Sequence, residues 1–140
     1  QATYYIVDSV STSGSPYEVI IQGASTAASA VPLVLVIRNT ASRLLGGAMT
    51  KVTIAGHVHR PVMMIFIGCD VKGGGHDLWG AVILDQYSTL SGNPHVLGTL
   101  AYYHRSSIGT PTVSDDPQIR AVMAGVAPRF LLTAVRVFRY

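Results

Sequence analysis

Two histidines one residue apart, His57-Val58-His59, form the most suggestive chemical motif in the chain. Alternate side chains of a strand share a face, so both imidazoles would point the same way and could share a metal ion. His76 follows after the glycine turn Gly73–Gly75, and Cys69 lies between. His57, His59 and His76 are therefore the candidate ligands of a metalloenzyme. Cys69 with any of them would instead make a Cys–His nucleophile. Against both, a bare His-x-His in a β protein is more often plain surface than a metal site. Cys69 also follows an apolar run, where an inert buried thiol is the commoner state. The expectation is no bound metal, no cofactor and no enzymatic activity.

Other chemistry is thinner. There is no Gly-x-Ser-x-Gly nucleophile elbow and no glycine-rich loop leading into a Lys-Ser/Thr helix start. Trp79, Tyr87, Tyr102 and Tyr103 could stack on sugar rings or bases. Charge is uneven. Residues 1–100 hold five basic and five acidic side chains, whereas residues 101–140 hold five arginines against Asp115 and Asp116. The net charge of +3 therefore sits in the last forty residues, entirely as arginine. Arg129, Arg136 and Arg139 are the candidate phosphate contacts, since guanidinium suits bidentate phosphate binding.

The elements that must position these groups read as strands. The chain has 140 residues, 49% hydrophobic and only 12% charged. That excludes a disordered chain, a coiled coil and a charge-rich helical bundle. It fits one domain, residues 1–140. No apolar run reaches the ~18 residues of a membrane span. Short β-branched segments alternate with Gly/Ser/Pro clusters: Thr3–Val10, Tyr17–Gln22, Pro32–Arg38, Thr50–His59, Val62–Val71, Trp79–Asp85, Leu97–His104, Ile119–Val126 and Arg129–Tyr140. The spacing predicts an all-β fold, an antiparallel two-sheet sandwich of eight or nine strands, with Gly73–Gly75 as a hairpin turn. Ser114-Asp115-Asp116-Pro117 reads either as a helix start or as a turn before a strand. No internal repeat is visible.

Several strands are apolar on both parities. Pro32–Ile37 and Val62–Ile67 are apolar throughout, and Phe130–Tyr140 nearly so. A lone two-layer sandwich has few places to hide both faces of three strands. Self-association is the economical expectation, since large apolar surfaces mark interaction sites.

This texture resembles the jelly-roll shell domain of small icosahedral virus capsid proteins, satellite-virus coats in particular. The likeness rests on Tyr17–Gly23, Pro32–Arg38, the Thr50–Cys69 strand pair and Phe130–Arg139. It implies a subunit that packs with copies of itself into a closed shell around a nucleic-acid genome, in a virion, with no catalytic residue. An Arg/Lys-rich arm, usual in that family, is not among these residues. The alternative expectation is a secreted carbohydrate- or receptor-binding domain forming a small oligomer, with Trp79 and Tyr102 at its ligand site.

Overall fold

The structure, a computed structural model, describes residues 3–9, 17–40 and 48–126. Eleven strands and one α-helix follow in order: β1 (Thr3–Ser9), β2 (Glu18–Ile21), β3 (Ala24–Ser25), β4 (Leu33–Asn39), β5 (Thr50–Ile54), β6 (Val58–Ile67), β7 (Cys69–Lys72), β8 (Asp77–Leu84), β9 (Thr89–Ser91), β10 (His95–Ala101), β11 (Thr112–Ser114) and α1 (Pro117–Met123). The strands make two sheets. The larger runs β1-β4-β6-β8-β10-β11, with β3 also on β6. The smaller runs β2-β5-β7-β9.

Every pairing within these sheets is parallel. This corrects the antiparallel, jelly-roll-like sandwich. Neighbouring parallel strands need a long crossover. Here the crossover is itself a strand of the opposite sheet. The chain alternates between the sheets, β1 to β2, β4 to β5, β6 to β7, β8 to β9, and so winds as a coil. The Gly73–Gly75 turn is accordingly no hairpin. It is a corner that carries the chain from β7 to β8, and β8 pairs with β6, not β7.

The coil also supplies the repeat that the sequence hid. Val62 pairs with Gly80 and Gly80 with Gly98, two equal steps along the chain. In the smaller sheet Thr50 pairs with Cys69 and Asp70 with Thr89, again in equal steps and of nearly the same length. The earlier turns are longer, for Thr3 meets its partner only at Leu33, Leu33 its next one only at Val62, and Glu18 its partner only at Lys51.

Glycine is required where the turns stack at Val62, Gly80 and Gly98. Gly80 has φ +117° and Gly98 φ +143°. A Cβ at Gly80 would overlap the carbonyl oxygen of Val62, and one at Gly98 the carbonyl oxygen of Gly80. Those φ values lie where L side chains are strained in any case.

The both-faced apolar strands are explained by two cores. One face fills the space between the sheets, with Ile37, Val62, Met64, Phe66, Val82 and Leu84. The other face of the larger sheet carries Val34, Val36, Met63, Ile65 and Ile83, buried with Ile119, Met123 and Val126 of the α1 segment. Leu33–Ile37 and Val62–Ile67 are thus buried or half-buried by the chain itself. Sister molecules are not needed to cover them. The third segment, Phe130–Tyr140, lies outside the described residues.

Helix α1 replaces the expected strand Ile119–Val126. Its start follows the capping logic of Asp115-Asp116-Pro117. The Asp116 carboxylate accepts from the main-chain N–H groups of Gln118 and Ile119 at 2.9 and 3.1 Å, and Pro117 occupies the first turn, where no N–H is needed. Such a cap contributes about 1 kcal/mol. Ile119 and Met123, four apart, then share the face turned to the sheet.

At the other edge, β1 is tied to β4 by a bidentate pair. Arg38 Nε and Nη2 donate to Asp8 at 2.7 and 2.9 Å. That hydrogen bonding holds the Asp8 carboxyl below its ordinary value and raises the Arg38 guanidinium. A depressed carboxyl stabilises the fold above its unfolded pKa of about 4, and the effect is lost as pH falls through the lower folded value. The pair is half-exposed, so the effect is small. Asp8→Asn should therefore be slightly less stable than the parent at neutral pH, the gap closing as both are unfolded in urea at steadily lower pH. A gap that widens toward acid would refute the assignment.

Candidate metal centre

The centre sits where β6 and β8 begin on the larger sheet. Val58, Leu78 and Val96 point into the inter-sheet core and are at most 4% exposed. Their neighbours in sequence must point outward. Among those neighbours are His57, His59, Asp77, Trp79 and His95.

Register brings them together. Asp77 pairs with His95 on the adjacent strand. On the other side the ladder slips. Val58 pairs with Leu78, yet the next partners are Val62 and Gly80, so β6 advances further than β8 between the two rungs. The surplus residues of β6 lie between Val58 and Val62, beside His59. His57 and His59, two residues apart, stack with ring centroids 5.2 Å apart and planes within 11°. His59 stacks in turn on Trp79 at 4.8 Å, and His76 meets His57 edge-on at 5.2 Å.

Asp77 is the hub. Its Oδ2 is 3.0 Å from His59 Nε2 and 3.7 Å from His57 Nδ1, and its Oδ1 is 3.6 Å from His95 Nδ1. The Asp77 main-chain N–H donates to His57 Nδ1 at 2.9 Å. His95 Nε2 lies 2.9 Å from the Ser114 hydroxyl, which fixes that ring from behind. The His59 hydrogen bond chiefly, then the fields of His57, His59 and His95 when charged, hold the Asp77 carboxyl below its ordinary value against the opposing effect of burial. Stability from this carboxylate is present above its unfolded pKa and fades as pH drops through the folded one.

One ligand atom each from His57, His59 and Asp77 all lie within 4.8 Å of one another. Two imidazoles and a carboxylate suit zinc and the other first-row divalent ions, and three protein ligands leave a position open to solvent. The 3.0 Å between His59 Nε2 and Asp77 Oδ2 is near the roughly 3.3 Å separating two ligands of tetrahedral zinc at ordinary bond lengths.

The sequence singled out His57, His59 and His76. The first two converge with a ligand it did not name, Asp77, while His76 packs against His57 beside them. Cys69 is elsewhere. It is buried between the sheets, its Sγ 3.5 Å from the carbonyls of Ile37 and Ile67, as the inert-thiol reading expected. Trp79 belongs to the histidine cluster, whereas Tyr102 follows the end of β10, at the opposite end of the sheet, so the two do not frame one ligand site. Arg129, Arg136 and Arg139 lie outside the described residues. No helix among the described residues is long and apolar enough to cross a membrane. A scan against protein-family models gave no match, and searches of curated proteins and of solved structures gave none either.

Proposed function

We propose that the chain binds a divalent transition metal, zinc foremost, through His57, His59 and Asp77. The observation that carries this is the convergence of three ligand atoms within 4.8 Å, with His59 and Asp77 on strands that the coil holds in place and His57 in the link just before β6. It departs from the expectation of no metal, which weighed His57-Val58-His59 without its carboxylate partner. The test is direct. Metal-stripped protein dialysed against micromolar zinc chloride should retain about one equivalent by elemental analysis. Retention near zero would end the reading.

Self-association is a second reading with a different support from the one first expected. The shell of a jelly-roll capsid relied on an antiparallel sandwich and on apolar strand faces left for sister molecules. The parallel coil removes the first, and the two cores remove the second for Leu33–Ile37 and Val62–Ile67. What favours association now is β1, at the edge of the larger sheet among the described residues, whose Tyr5 and Ile6 are 57% and 62% exposed. Sedimentation velocity across a hundredfold concentration range should show a species heavier than the 14.9 kDa chain. A single monomer boundary throughout would exclude it.

A further inference from the structure

Between α1 and the outer face of the larger sheet lies a cavity of about 190 Å³, and its wall is mostly apolar. Its floor follows from register. Met63, Ala81 and Thr99 stand side by side on β6, β8 and β10, so a short side chain occupies the middle of the row. In the next row, Ile65, Ile83 and Ala101, the middle strand instead carries the bulk of Ile83. Ile119 and Met123 of α1 roof the depression that Ala81 leaves. At the mouth, Asp115 and Arg120 are paired at 3.2 Å, so the rim's two charges cancel and select neither sign.

We propose that this cavity binds a small, uncharged aromatic ring, between benzene and indole in size. Three observations converge. The space is partly open to solvent at its mouth, so a ring can enter it without α1 moving. The size fits, since an apolar cavity of roughly 150 Å³ accepts benzene. The side chains that would clasp the two faces of a ring are Met63 from below and Met123 from above, and thioethers adapt in shape and contact aromatic rings favourably. Neutral rim charge argues against an aromatic acid or amine. The proposal is independent of the metal centre, because none of its lining residues is among the candidate ligands.

Indole titrated into the isotopically labelled chain is the test. Saturable chemical-shift changes should centre on Ala81, Thr99, Ile119 and the methyl groups of Met63 and Met123. Ala81→Leu fills the floor and should weaken indole at least about tenfold, with the circular dichroism spectrum and melting temperature preserved. If that variant fails to fold, Thr99→Leu closes the depression from the exposed side and is read the same way. Indolylacetate should bind more weakly than indole. No saturation by indole or benzene, shifts scattered over the surface, or unchanged affinity in a folded filled variant would each overturn the proposal.

Discussion

Asp77→Ala should lower zinc affinity by at least about a hundredfold while the chain stays folded. Removing groups that merely orient a metal ligand costs about 10–100-fold, so loss of a direct ligand should reach or exceed the top of that range. The fold should survive because Asp77 is one-third exposed and begins its strand, where truncation opens no core. His59→Ala should match it, since His59 Nε2 is the nitrogen nearest the carboxylate. The control is Asp70→Ala. Asp70 is also half-buried on a strand, but it accepts from Thr89 in the smaller sheet, away from the histidines. Its affinity should stay within about twofold of the parent. Calorimetric titration reads all three. Equal affinities for parent and Asp77→Ala would mean that zinc, if taken up at all, binds elsewhere.

The second large effect concerns the coil itself. Gly80→Ala should destabilise the protein by more than about 3 kcal/mol, a large part of the roughly 5–15 kcal/mol typical of a domain. Two penalties coincide there: a φ of +117° and an added Cβ overlapping the Val62 carbonyl oxygen on the neighbouring strand. Gly75→Ala is the matched control. Its nearest neighbour would be Asn93 Oδ1 at 3.7 Å, an ordinary contact. It should fall within about 0.5 kcal/mol of the parent. The expected gap in melting temperature is on the order of 10 °C. If Gly80→Ala melts with Gly75→Ala, the stacked parallel register at Val62, Gly80 and Gly98 is wrong.

Much of the strand content was legible, because β-branched runs bounded by glycine and serine need no partner to be recognised. Pairing direction was not. A short link such as Gly73–His76 serves a hairpin or a coil corner equally well, and nothing local distinguishes them. The start of α1 was legible in Asp116-Pro117. Its body was not, since so short a helix shows too few turns for its period to stand out from a short apolar strand. His57 and His59 were visible as a pair. Asp77 was missed because its claim comes from position, not motif. The available signal was an interval: Asp77 precedes His95 by the same step that separates Gly80 from Gly98. The longer first turns, Leu33 to Val62 and Glu18 to Lys51, break that rhythm and hide it.

The slip between Val58 and Val62 shows what such an architecture tolerates. The surplus of β6 is two residues, an even number, so the inward–outward alternation is kept and the ladder from Val62 onward is undisturbed. A single inserted residue would break that alternation. It would turn every later outward side chain inward and pull Asp77 out of line with its imidazoles. For this molecule, distance along the chain decides which side chains meet, so the count of residues within a layer must be kept for His59 to stay beside Asp77.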